Sequence, residues 1–367
     1  MKLKQLCILV LFGFLFSLPC ITLSVNAQSE PAMNDGVKAA IKELKSEDSN
    51  VRAAAAAKLG ERQFMDKKAL SYLINALQDK EAIVRGNAAD SIGNYRDKST
   101  SIALVDTLKK ENEPYVKTSI ITALNYIRDE QSVKPLLDVF SVEKEENVKL
   151  NIMQVFGNLR ASLAVDALVK SLNDKSARIK ESAARALGSI GDSKAVTSLK
   201  KALKDKDINV QINVIEALGK IGDATVVKDV STMLVSVDAR VRCVAASALG
   251  KLGNSDGLEI TLKEIGNTDI KVRRAALEAL GNIGKITDNV VQAILKASKD
   301  ADMGLKRSAE TAAVKLGINL EEEQTKLQKE AIKAQPKPKP AAKTQASQAV
   351  KPAAKTQASP AVKPQGK

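Results

Sequence analysis

The sequence predicts an all-α fold, an α-solenoid: a right-handed superhelix of about nine two-helix repeats with a disordered C-terminal tail. Three observations carry that reading. One pattern recurs nine times along the chain. Within each copy the apolar residues fall at helical spacing in two separate stretches. The apolar set, 44% of residues, is mostly Ala and small aliphatics, with 3% aromatics and no Trp. That composition suits closely packed helices and serves sheets poorly.

From the N-terminus, Lys2 and Lys4 precede an apolar run from Leu6 to Leu18, and Val25-Asn26-Ala27 leads into Gln28. This is the layout of a secretory signal over residues 1–27, cleaved after Ala27. The apolar run falls short of the ~20 residues of a membrane span. Pro19 stands where lipid attachment at Cys20 would want a small residue. Cys7 and Cys20 leave with the leader, so Cys243 is the one thiol of the mature chain. An exported chain with one thiol has no internal disulfide and must be held by packing. The expected location is periplasmic or on the surface of a bacterial cell.

Residues 28–47 hold Asp35-Gly-Val37, Ala40-Ile41 and Leu44, the stripe of an unpaired second helix that would cap the first repeat. The array itself runs over 48–318. Its clearest copies are Asp207-Ile-Asn-Val210 leading to Ala217-Leu218-Gly219-Lys-Ile221-Gly222, and Asp238-Ala-Arg-Val241-Arg242 leading to Ala248-Leu249-Gly250-Lys-Leu252-Gly253. The aliphatic anchors are Val51, Val84, Val116, Val148, Ile179, Val210, Val241, Val272 and Leu305, spaced by 31 to 33 residues.

Each part of the pattern has a physical task. Asp48, Asp207, Asp238, Asp269 and Asp302 stand where an N-cap carboxylate accepts the free N–H groups of a first turn. A cation follows four residues on, as in Asp48/Arg52, Glu81/Arg85, Glu113/Lys117, Glu145/Lys149, Asp238/Arg242, Asp269/Arg273 and Asp302/Lys306. This order predicts exposed pairs along the helix, worth ~0.2–0.5 kcal/mol each. Gly60, Gly93, Gly157, Gly188, Gly219, Gly250 and Gly281 recur inside the first helix, where a closely crossing backbone would justify a helix penalty of ~1 kcal/mol. Gly191, Gly222, Gly253, Gly284 and Gly317 stand where a helix ends.

The second helices show one stripe each, as in Ala195-Val196, Leu199 and Leu203. Residues 319–335, with Glu321, Glu322, Glu323, Lys326, Lys329 and Lys333, form the polar helix that a terminal cap requires. Residues 336–367 are different material: Pro340 to Lys351 repeats as Pro352 to Lys363 with one change. This Lys/Pro/Ala-rich stretch lacks large apolar residues and is expected to be disordered, with its prolines favouring polyproline II. The formal charge of +14 belongs largely to it, since 331–367 hold eight Lys and no acid.

The repeat resembles the short HEAT-like unit of phycobilisome-lyase-type proteins over residues 48–317. The resemblance implies a stacked-helix binding surface, with a phycobilin-lyase-like or chaperone-like role as the alternative, one disfavoured by export because those lyases act in the cytoplasm.

Catalysis has little material to work with. The chain has no His, which removes imidazole acid–base chemistry, Ser-His-Asp and Cys-His systems, and imidazole metal sites. Cys243 occupies a position held by Ala53, Gly86, Thr118, Glu181 or Arg274 in other copies, which reads as filler. No catalytic residue, cofactor or metal is expected. The expectation is a non-catalytic protein-interaction scaffold of the cell envelope. On the helical wheel of the second helices, Lys170, Lys201, Lys263 and Lys296 form one outward row, and Lys134 and Lys228 belong to its neighbour. If second helices line the inner face, these lysines are the candidate partner-binding residues. Interleaved acids and the scarcity of aromatics argue against nucleic acid. The tail offers a contact to anionic envelope polymer or lipid headgroups, weakened by salt.

Overall fold

The computed structural model describes residues 33–334, all of whose elements are helical. The expected leader and the Lys/Pro/Ala-rich tail lie outside the described residues. Helix α1 (Asp35–Glu43) stands alone, and pairs follow. They are α2 (Ser49–Lys58) with α3 (Leu70–Ala76), α4 (Ala82–Tyr95) with α5 (Ser101–Leu108), and α6 (Pro114–Ile127) with α7 (Val133–Val142). Next come α8 (Glu146–Asn158) with α9 (Val165–Ser171), α10 (Ala177–Ile190) with α11 (Val196–Ala202), and α12 (Ile208–Ile221) with α13 (Val227–Ser231). The last are α14 (Ala239–Lys251) with α15 (Leu258–Glu264), α16 (Ile270–Ile283) with α17 (Asp288–Ala297), and α18 (Met303–Leu316) with α19 (Leu320–Ala334). This is the α-solenoid of nine helix pairs.

The core lies between the two rows of helices. The anchors from Val84 to Leu305 are buried, together with Leu104, Leu136, Leu168 and Leu199 from the second row. Val51 is the exception, 38% exposed. At this end of the array α1 covers α2 through Val37 and Ala40, which are buried in its place. The only aromatic pair among the described residues, Phe140 with Phe156, meets edge to face at 5.9 Å inside the same core.

The helix ends follow the capping logic. The carboxylates of Asp48, Asp207, Asp238, Asp269 and Asp302 accept backbone N–H groups of the first turn. The terminal glycines, Gly191 to Gly317, sit at φ between 68° and 78°, the left-handed region that glycine enters without strain. In three earlier repeats the same position holds Arg96, Arg128 and Arg160, at φ of 52°, 54° and 50°.

In six repeats the cation after the anchor does something other than expected. It does not pair with the acid four residues before it, but reaches the joint with the next repeat. Arg52 binds Asp79, Arg85 binds Glu111, Lys117 binds Glu143, Lys180 binds Asp205, Arg242 binds Glu264 and Arg273 binds Asp300. The acids stand five residues before the next anchor, except Glu264, which reaches in from α15. From that place Asp79, Glu111, Glu143 and Asp205 also accept the N–H two residues on. The i,i+4 partner loses because the acid there is exposed at the helix start, whereas the acid of the joint is largely enclosed and already oriented by backbone N–H groups. The rungs form a ladder along the array, and at one rung both charges are missing. There Gln211 replaces the cation and Ser236 the acid, with Gln211 Nε2 donating to the Asp205 carbonyl. A lone charge in such a place would be costly, so loss of both together is the tolerated change.

Candidate partner-binding groove

Which side of the array is open to a partner follows from how closely the rows pack. A Cβ built on Gly93 would lie 2.8 Å from Ala123 Cα, and one on Gly188 would lie 2.7 Å from Ala217 Cα. No real Cβ sits that close, so only glycine lets these first helices cross. The first helices stack directly on one another, whereas the second helices of neighbouring repeats barely touch. An array curves toward the side on which its units approach most, so the first helices line the concave face. The lysines expected to bind from an inner row of second helices therefore sit on the opposite, convex side. Lys134, Lys170, Lys201, Lys228, Lys263 and Lys296 are all exposed there, one on each of the second helices from α7 to α17.

The groove is lined by the first-helix positions just before the anchor and two or three, six and ten residues after it. They differ from repeat to repeat while the framework stays constant. Between α8 and α10 they enclose a recess of about 420 Å³ whose walls include Gln154, Asn158, Arg178, Glu181 and Arg185. Between α16 and α18 a second, of about 500 Å³, is lined by Lys271, Arg274, Glu278, Arg307 and Lys315. In the latter, Gly304 leaves the room into which the Arg274 guanidinium lies, on its way to Asp302 at 2.8 Å.

The N-terminal part of the groove is of a different character. Ile83, Tyr115 and Tyr126 are each about half exposed, at 49%, 47% and 48%. Large apolar and phenolic side chains standing in a groove are what protein interfaces use as anchors. Asp90 lies among them, and burial raises its carboxyl above the ordinary range, partly offset by a hydrogen bond with the Ser119 side chain.

Cys243 is fully enclosed, its Sγ 3.9 Å from the Val272 carbonyl oxygen. Burial, with the charge of Glu264 adding, pushes its thiol up to about 12. A thiol in that state is neither a nucleophile nor a metal ligand at neutral pH. Among the described residues no group of three His, Cys, Asp or Glu side chains is placed to hold a metal ion. No helix among them is long and apolar enough to cross a membrane.

The repeat pattern also matches a known family directly. Models of HEAT repeats match residues 37–125, 133–207, 174–243, 198–261 and 227–315. The chain is a HEAT-repeat protein. No curated protein matches it significantly. Among solved structures, the HEAT array is similar to an engineered protein, at 22% identity, covering 77% of this chain and 89% of that one, with a TM-score of 0.41. It is also similar to the complex of CpcE and CpcF of phycocyanin lyase from Nostoc sp. PCC7120, at 20% identity, covering 80% of this chain and 98% of that one, with a TM-score of 0.34. HEAT repeats make the array a protein-interaction solenoid.

The expected lysine row depends on second helices lining the inner face, and the close crossings place the first helices there instead. The first-helix lining changes chemistry from repeat to repeat: six residues after the anchor the chain reads Asp90, Thr122, Gln154, Arg185, Glu216, Ser247, Glu278 and Thr311.

Proposed function

We propose that this protein is a non-catalytic scaffold of the bacterial cell envelope, exported with its leader cleaved after Ala27, which holds a partner protein along the concave groove of its first helices. The observation that carries the reading is the division of labour within each repeat. Anchors, capping acids, glycines and the ladder between joints recur with little change, whereas the groove positions vary and place exposed tyrosines, carboxylates and arginines on one continuous surface. A surface so varied on a frame so regular is built to be read by one partner. Export is supported by the residues of the leader. The eight lysines of 331–367 supply a second, salt-sensitive contact to anionic polymer or lipid headgroups of the same compartment.

The test is a comparative pull-down from envelope extract of the producing bacterium. The wild-type chain is set beside a groove variant, Tyr115→Ala with Tyr126→Ala and Arg185→Glu, and a convex-face variant with Lys134, Lys170, Lys201, Lys228, Lys263 and Lys296 changed to Ala. Specific capture lost by the groove variant and kept by the convex-face variant is the expected result. The reverse pattern sinks the groove reading, and capture of nothing by the wild type sinks the scaffold.

A further inference from the structure

The groove has a shelf suited to a proline-and-lysine peptide, and this chain carries such a peptide. Tyr115 and Tyr126 stand 11 residues apart on one face of α6, which places them ~16 Å from each other along its axis. Both rings rest on α4 where glycine makes room. Tyr115 Cε2 would lie 3.1 Å from a Cβ on Gly86, and Tyr126 Cδ2 would lie 3.6 Å from one on Gly93. Asp90 stands between those glycines on α4, its carboxyl raised by burial and lowered in part by the Ser119 side chain. Along α4, α6 and α8 the lining positions carry no Lys or Arg, whereas Arg178, Lys251, Lys271 and Arg307 follow farther along the groove.

We propose that the chain's own C-terminal tail docks intramolecularly on this shelf, with the Lys351-Pro352 dipeptide over Tyr115, Tyr126 and Asp90. Proline-rich segments bind aromatic-lined grooves because they lose little freedom in doing so, and the prolyl ring packs on the aromatic face. The Lys351 ammonium supplies a cation to the Asp90 carboxylate, which has no ion pair among the described residues. Reach excludes the nearer dipeptides and leaves this one as the first within range. From α18 back to α6 are six steps of ~8–10 Å, or roughly 50–60 Å. Lys351 stands 17 residues beyond the end of α19, which is roughly 53 Å at ~3.1 Å per residue in polyproline II. Lys339-Pro340 falls far short of that span, and Lys363-Pro364 reaches it with slack. The basic half of the groove repels the same lysines, so the tail passes over it and settles where the cations end. The inference rests on the concave groove as the binding face.

The chain has four tyrosines, so 3-fluorotyrosine labelling gives four ¹⁹F resonances, assignable by single Tyr→Phe changes. The mature chain is compared with one ending at Ala334, which keeps the whole hydrophobic core from Val37 to Leu316. The Tyr115 and Tyr126 resonances are expected to differ between the two chains while those of Tyr72 and Tyr95 coincide. The Lys351→Glu, Pro352→Ala variant of the full chain is expected to move both back toward the tail-less positions, and the difference is expected to survive tenfold dilution. Four coincident resonances overturn the proposal, and so does a difference that fades on dilution, which would assign the shelf to a second molecule's tail. No partner enters this experiment, so the docking can fail while the groove reading stands, and the pull-down can fail while the tail is docked.

Discussion

The guanidinium of Arg85 grips the carboxylate of Glu111 at two points, Nε to Oε2 at 2.7 Å and Nη2 to Oε1 at 2.9 Å. Its third nitrogen, Nη1, donates to the carbonyl oxygens of Asp79 and Lys80. One side chain thereby ties the loop entering its own repeat to the loop entering the next. Glu111 in turn accepts the N–H groups of Asn112 and Glu113, each at 2.9 Å, so a change at either residue loosens a joint of the array.

Glu111→Gln is accordingly expected to destabilise the protein by about 2 kcal/mol, between the limits for exposed and fully buried pairs, because it leaves the Arg85 charge enclosed without its partner. The double change Arg85→Gln with Glu111→Ser copies the neutral rung at Gln211 and Ser236. It is expected to cost less than the two single changes added together. Urea titration of the four proteins, followed by helical circular dichroism, measures the coupling, and strict additivity would show that the rung is not a unit.

The same joints set the response to acid. For Asp79 the bond from Arg52 dominates and lowers the carboxyl. For Glu111, Glu143, Asp205 and Glu264 burial acts to raise it, but bonds from the paired cation and from neighbouring N–H or amide groups outweigh burial, and the net shift is downward. A folded-state value below the unfolded one gives stability that is full above the unfolded value near ~4 and is lost as pH falls through the folded value. Asp90, raised by burial, works in the opposite sense. With no His in the chain, the urea midpoint is expected to hold level from pH 8 to 5 and to fall below about 4. A marked loss between pH 7 and 5.5 would contradict this.

The sequence made the architecture legible because its signals are local and repeated nine times. Anchors, capping aspartates and the two sets of glycines each report on one turn of helix or one crossing. The ladder was hidden because the sequence offers two acids for most of these cations, and the nearer one, four residues away, is the habitual partner in an isolated helix. The farther one wins through tertiary enclosure, which no spacing rule along a single helix contains. Its trace was nevertheless present, since Ser46, Asp79, Glu111, Glu143, Asp174, Asp205, Ser236, Asn267 and Asp300 place a polar acceptor five residues before every anchor. Which helices line the concave face was hidden for a related reason. A helical wheel shows which face is polar, but the side toward which an array curves depends on how near neighbouring rows come, and that is set by where Gly93 and Gly188 meet Ala123 and Ala217.

Cys243 offers a readout of global unfolding. A shift of its thiol from 9.0 to about 12 lowers the thiolate fraction at pH 8 by close to three orders of magnitude, before any steric shielding. In the chain beginning at Gln28, Ellman's reagent is therefore expected to react about 10³-fold more slowly in native buffer than in urea. Rapid native reaction would place the thiol at the surface and remove it from the core between α14 and α16.

The crossings ask for glycine on steric grounds alone. Gly188→Ala is expected to cost about 1–3 kcal/mol, because its Cβ would meet the backbone of Ala217 at 2.7 Å. Gly266→Ala, whose Cβ would meet nothing nearer than the Lys263 carbonyl oxygen at 3.5 Å, is expected to be neutral or slightly stabilising. Thermal melts of the two variants separate the effects, and equal costs would refute the close-approach account.

Arg96, Arg128 and Arg160 hold a left-handed backbone at the position where five later repeats use glycine. Each carries strain of roughly 1–2 kcal/mol that glycine does not. Glycine also adds freedom to the unfolded chain, returning ~0.4–1 kcal/mol of that gain. Each Arg→Gly change is therefore expected to stabilise the protein by about 0.5–1 kcal/mol. The three are exposed, sit in different repeats and share no partner among the described residues, so the triple variant is expected to gain about 2 kcal/mol by addition. A destabilised triple variant would mean that these arginines contribute contacts in the folded state beyond the backbone they strain.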